Sequence, residues 1–79
     1  MDSMATTGQQ DPMMTVTVNG ETREVAAGTT VTGLLTGLGL QPRLIVVEHN
    51  REILDRSSFD VTEVRAGDNL ELVHFVGGG

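Results

Sequence analysis

The residues best placed to do chemistry stand at the end of the sequence, where Val73-His74-Phe75-Val76 runs into Gly77-Gly78-Gly79. A hydrophobic strand leading straight into glycines presents an α-carboxylate on a flexible leash without side chains. Glycine accepts almost any φ/ψ and lets the backbone approach closely, so such a tail can thread a channel that a β-carbon would block. The group delivered this way is the carboxylate of Gly79. It is ionised and unreactive at neutral pH, so a second protein must activate it, for example by adenylation. A sulfur nucleophile can then capture the acyl-adenylate and give a thiocarboxylate. The plainer reading of the same residues is a frayed end of small, mobile residues.

The remaining side chains exclude more than they offer. His49 and His74 have no Cys partners and no metal-ligand spacing, and each reads as a satisfied rim residue. Ser57-Ser58 lacks a G-x-S-x-G elbow and suits a loop or a cap. The carboxylates are scattered as a solvated surface, and the turn glycines Gly20, Gly28, Gly39 and Gly67 form no G-x-G-x-x-G. With no Cys there is no disulfide, thiolate zinc site or Cys nucleophile. All five basic residues are Arg, which excludes Schiff-base lysines and a P-loop lysine. Eleven Asp+Glu give a net charge of −6, a poor match to nucleic acid. No apolar stretch reaches the ~18 residues that would span a membrane. The first 14 residues also lack the pattern of a secretory signal. The expectation is a cytoplasmic protein that is not itself an enzyme and binds no metal or cofactor.

The elements that must position the tail are legible in the rest of the chain. Its 79 residues suit one domain. Residues 1–13 show no period and read as a disordered leader, similar to that of an expression vector. The domain is expected over 14–76 and the flexible tail over 77–79. Met14 to Val18 alternates with period two and predicts a half-buried strand, followed by Asn19-Gly20, the strongest hairpin signal. The return strand, Glu21 to Val25, would pair Val18 with Glu21, Val16 with Arg23 and Met14 with Val25, as an edge strand. Thr29 or Thr30 can cap a helix whose stripe is Val31, Leu34, Leu35 and Leu38, with Gly39 at the left-handed C′ position and Leu40 as a latch.

Leu44 to Val47 predicts an interior strand covered on both sides, parallel to its neighbour by the right-handed crossover rule. Ile53-Leu54 can form a short strand. Asp55 to Val64 reads as irregular, anchored by Phe59, Val61 and Val64, and Arg65 to Asp68 as a turn. Leu70 to Phe75 is the last strand. Together these predict an α+β fold with a mixed sheet of four to five strands and one main helix packed on one face.

This order with a terminal Gly-Gly resembles the ubiquitin-like β-grasp fold, and residues 14–79 resemble the ThiS-type sulfur carriers of thiamine biosynthesis within it. The residues that carry the resemblance are Val18-Asn19-Gly20-Glu21, Thr30-Val31, Leu34-Leu35, Ile45-Val46-Val47-Glu48, Asn50-Arg51-Glu52-Ile53, Gly67-Asp68 and Val73 to Gly79. The resemblance implies an E1-like adenylating enzyme that uses ATP on Gly79, a cysteine desulfurase relay that supplies sulfur, and thiazole synthase as acceptor. The leader and the third glycine, Gly77, depart from the family pattern. The small subunit of molybdopterin synthase is similar in fold and tail, so a molybdenum-cofactor precursor is the alternative acceptor. A β-grasp interaction module with idle glycines and a protein modifier are the readings from other classes.

The last strand also predicts a partner-docking face. With period two, Leu70 and Leu72 face the helix, while Glu71, Val73 and Phe75, continuing to Val76, face the opposite side. One alternating set of Leu44–Val47 must share that outer face, with the register open. Apolar side chains on both faces, with a helix for only one, expose a patch of the kind that marks partner sites. Alternatively, the Asp55–Val64 segment covers Val73 and Phe75. The acidic surround would favour a partner with a basic rim.

Overall fold

The computed structural model describes residues 12–74. Phe75, Val76, Gly77, Gly78 and Gly79, and the leader apart from Pro12 and Met13, lie outside the described residues. Five strands and one helix follow in the order β1 (Met13–Val18), β2 (Glu21–Ala26), α1 (Val31–Gly37), β3 (Ile45–His49), β4 (Glu52–Ile53) and β5 (Asn69–His74), with 3-10 turns at Pro42–Leu44 and Arg56–Ser58. The sheet order is β2-β1-β5-β3-β4. β1 and β5 are parallel and every other neighbouring pair is antiparallel. This is the mixed β-grasp sheet with its helix on one face.

The local signals translate directly. Asn19 and Gly20 take φ of 50° and 81°, and the pairing of Val18 with Glu21, Val16 with Arg23 and Met14 with Val25 is the one the two-residue loop demands. Thr30 caps α1 by accepting the Gly33 N–H at 3.0 Å. At the other end Gly39 has φ of 80°, its N–H donates to Thr36 C=O, and Leu40 N–H donates to Leu35 C=O at 2.9 Å. That double bond pattern is a Schellman ending, and Leu40 packs against the core as the latch. Val31, Leu34 and Leu35 are buried with Val16, Val18, Ile45, Val47, Phe59, Val64 and Leu70. Leu38 packs at the margin of that cluster, as does Leu72, which is half-buried where Leu70 is wholly buried.

Three expectations are corrected. β3 is not parallel to its neighbour. It runs antiparallel to both β5 and β4. The crossover from β2 through α1 does return in the β2 direction, but it passes over two positions, and β5 later fills the slot beside β3 from the opposite direction. β3 is also covered on one side only: Ile45 and Val47 are buried, whereas Val46 lies on the far face and is half-buried, because one helix can cover one face. Val61 is no anchor, being 78% exposed, while Phe59 and Val64 enter the core.

The segment from Asp55 to Val64 instead serves the start of the helix. Thr62 C=O accepts the Val31 N–H at 2.9 Å and Phe59 C=O accepts the Thr32 N–H at 3.1 Å, so donors that a helix start leaves orphaned are satisfied. A bridge between Thr30 and Glu63 and the Thr32 hydroxyl bond to Asp60 hold the segment on the helix side of the sheet. It therefore leaves Val73 uncovered, at 60% exposure.

Candidate functional site

The candidate site is the sheet face turned away from α1, together with the exit of β5. Val73 stands directly opposite Val46, and Glu71 directly opposite Glu48, which fixes the register that the sequence left open. Ile53 of β4 is the partner of Glu48 and is 68% exposed. Val46, Val73 and Ile53 thus form an apolar patch flanked by two carboxylates. Like charges directly opposite on a sheet destabilise it by a few tenths of a kcal/mol, roughly 0.2–1 by the scale of cross-strand pairs. Glu71 and Glu48 accept that penalty on the face that is free of helix.

Val46 and Ile53 also line a small cleft of about 240 Å³ with Ile45, Leu54, Asp55, Arg56 and Phe59. β4 is only two residues long, so Leu54 N–H makes a last bond to Val47 C=O and the strand edge then opens at Ile45. There Arg56 Nη2 donates to the Ile45 carbonyl at 3.1 Å while its guanidinium lies 6.0 Å from the Phe59 ring centre. Arg56 thus satisfies an edge carbonyl that a longer β4 would have paired. A larger groove of about 450 Å³ runs between β2 and the Gly33–Gly37 side of α1. It lies across the sheet from this face, and its charged lining is Arg23 and Glu24, so it gathers no reactive constellation.

At the start of β5 the structure assembles a polar cluster that the sequence did not reveal. Asp68 is buried, at 8% exposure. Its Oδ2 accepts from His49 Nε2 at 2.7 Å and from the Arg65 N–H at 2.8 Å, and its Oδ1 accepts from Asn50 Nδ2 at 3.2 Å. Burial pushes the Asp68 carboxyl up, but these donors outweigh it and hold the group below its ordinary value. His49 is therefore a structural partner of a buried carboxylate, the satisfied histidine that a lone His predicts. Nothing local signals its pairing with a residue 19 positions away. Ser57 donates to Asp55 within the 3-10 turn, in keeping with a loop role. Among the described residues no group of three or more His, Asp or Glu could hold a metal ion. Nor is any helix of the described residues long and apolar enough to cross a membrane.

Asn19 is the second feature the sequence understated. Beyond making the turn, its side chain bonds both backbone groups of Leu72, accepting at 2.7 Å and donating at 3.3 Å. Of the residues expected to form the docking face, Glu71 and Val73 share the exposed outer surface of β5. Phe75 and Val76, and the tail Gly77, Gly78 and Gly79, follow directly in sequence.

The family model of the ThiS family matches residues 16–79. The chain belongs to the ThiS family. A crystal structure of the thiamine biosynthesis protein ThiS from Geobacter metallireducens superposes with a TM-score of 0.70 at 42% identity, covering 84% of this chain and 100% of that one. The sulfur carrier protein ThiS of Bacillus subtilis is 38% identical over 50 residues, 63% of this chain and 76% of that protein. A thiazole synthase of Magnetococcus marinus is 41% identical over 66 residues, 84% of this chain but 20% of that protein. This ThiS-family chain thus spans about a fifth of the length of the thiazole synthases it matches.

Proposed function

We propose that the chain is a sulfur carrier of thiamine (thiazole) biosynthesis and a substrate of its partner enzymes rather than a catalyst. The Gly79 carboxylate attacks the α-phosphate of ATP on an E1-like adenylating enzyme, and pyrophosphate leaves. The terminal sulfur of a persulfide supplied through a cysteine desulfurase relay then attacks the acyl carbon and AMP leaves; a thiol cleaves the resulting acyl disulfide, forming a disulfide with the relay sulfur, and the Gly79 thiocarboxylate so released donates its sulfur to thiazole synthase. The observation that carries this reading is the family match, which runs through the β-grasp core and on through Gly77, Gly78 and Gly79. The thiazole synthases that contain a matching stretch support the choice of acceptor. A carrier in the same chain as its acceptor raises the effective concentration of the sulfur at the receiving site.

The outer face of β5 is the proposed docking surface, with Glu71, Val73, Phe75 and Val76 joined by Val46 and Ile53. Its apolar centre suits desolvation by a partner, and the facing carboxylates Glu48 and Glu71 suit a basic side chain at the rim. The direct test is intact-protein mass after incubation with ATP, the adenylating partner and a sulfur source. A gain equal to one oxygen-to-sulfur exchange, absent when Gly79 is deleted, is expected, followed by loss of the sulfur on adding thiazole synthase. An unchanged mass with demonstrably active enzymes rejects the carrier role. Sulfur passed only to a molybdopterin precursor reassigns the acceptor, and higher-mass isopeptide conjugates would indicate a protein modifier.

A further inference from the structure

β2 closes the sheet on the side away from β4, and its outer edge is open. Thr17 N–H donates to Asp68 C=O, Asn19 N–H to Leu70 C=O, and Gly67 N–H to Thr15 C=O, so Thr15, Thr17 and Asn19 bond toward β5. Val16 and Val18 therefore bond toward β2, where they stand opposite Arg23 and Glu21. The backbone groups of Thr22, Glu24 and Ala26 are left pointing out of the sheet. Thr29 takes the Ala26 carbonyl through its N–H and its hydroxyl. Those of Thr22 and Glu24 have no backbone partner among the described residues.

An open edge is a template for another strand, and its side chains decide which strand fits. Glu21 and Arg23 share the helix face of β2, since Val18 and Val16 opposite them are buried there, and they form an exposed ion pair at 3.7 Å. The groove of about 450 Å³ between β2 and the Gly33–Gly37 side of α1 keeps the helix from overhanging this edge. An antiparallel copy of β2 must set outward-bonding residues against one another, so a twofold axis passes through a residue. An axis at Glu21, Arg23 or Glu24 sets that residue against itself, like charge on like, and an axis at Val25 needs the occupied Ala26 carbonyl. An axis at Thr22 sets Glu21 against Arg23 of the copy, twice, and threonine against threonine. Opposite charges and Thr–Thr are favourable cross-strand pairs, whereas like charges directly opposite are not.

We propose that β2 pairs with β2 of a second copy of this chain about a twofold axis at Thr22, joining the two sheets into one. This goes beyond the carrier reading and does not depend on it. A twofold contact uses one patch twice, and the order Glu21-Thr22-Arg23 is complementary to itself read backwards. β1 and β2 separate the axis from β5, so both outer faces of β5 stay uncovered. They lie on the same side of the joined sheet, roughly 30 Å apart at about 4.8 Å per strand.

Sedimentation equilibrium of the full chain, over a concentration series up to about 1 mM, reads the association. Wild type should approach a dimer, with amide exchange at Thr22 slowing as concentration rises. Arg23→Glu, which sets carboxylate against carboxylate at both pairs, should weaken the dimer at least about tenfold. The double exchange of Glu21→Arg with Arg23→Glu keeps the net charge and should restore it. Thr22→Pro removes an N–H that faces out of the monomer, so it should abolish the dimer with the melting temperature nearly unchanged. Wild type that stays monomeric throughout overturns the proposal. So does a dimer that survives both Arg23→Glu and Thr22→Pro, or a double exchange that stays as weak as Arg23→Glu alone. Should Thr22→Pro fail to fold, the two charge variants still decide, because both residues are exposed.

Discussion

The two ends of β5 are built on opposite principles. At its start, Asp68 and Asn69 are locked by His49, Asn50 and the Arg65–Asp68 turn, and the ladder to β1 continues through Thr17 N–H to Asp68 C=O at 2.9 Å. At its exit, one asparagine side chain replaces a strand on one edge, and Val73 turns an apolar surface to the outside. A buried carboxylate is tolerable only with its acceptor capacity filled, and here several donors from separate loops fill it. The comparison teaches that the strand is anchored by several loops at its start and keeps an uncovered apolar face toward its far end, where the proposed docking surface lies.

The largest effect that would break this contrast comes from the core beneath the anchored end. Leu70→Ala should cost about 2–5 kcal/mol, because Leu70 is wholly buried, whereas Leu72→Ala, two residues nearer the exit, should cost clearly less. Denaturant midpoints decide it, and equal losses would mean the exit is packed as tightly as the start. Next in size is the Asp68 cluster. The folded carboxyl lies below its ordinary value, so its stabilisation is complete above the unfolded value of about 4 and is lost as pH falls through the folded one. Asp68→Asn should therefore lower stability at neutral pH and flatten the acid limb of a stability–pH profile. A mutant profile parallel to wild type would remove the cluster from the account. The smallest change in folding is expected at the exit: Glu71→Gln should shift stability upward by a few tenths of a kcal/mol, as a facing like charge is lost. The same change should weaken binding to the adenylating partner, with a shallower salt dependence in calorimetric titration, and unaltered binding would take Glu71 off the docking face.

Much of the frame could be read without coordinates. Asn19-Gly20 fixed the hairpin and its register because few residues accept positive φ, and the Val31–Leu38 stripe with Gly39 and Leu40 fixed the helix and its ending. The assignment of Leu70 to the core and of Val73 to the far face followed from period two alone. Val61 misled because an apolar residue in an irregular segment carries no period to say which way it points. The orientation of β3 misled because the crossover rule governs strands joined through a helix and is silent on which later strand will occupy the place between them.

By itself the sequence determined most of the elements, the ending of the helix, the faces of β1 and β5 and a terminal Gly77-Gly78-Gly79, since each of these is set by backbone sterics and side-chain periodicity within a few residues. Only the tertiary structure decided that Asn19 meets Leu72 across 53 positions, that His49 and Asn50 close on Asp68, and that Val46, Ile53 and Val73 share one uncovered surface. Those contacts join segments that no local preference brings together. They exist because burying one apolar face under a single helix forces the strands into one order, and the polar groups and leftover apolar side chains must then meet whatever that order places beside them.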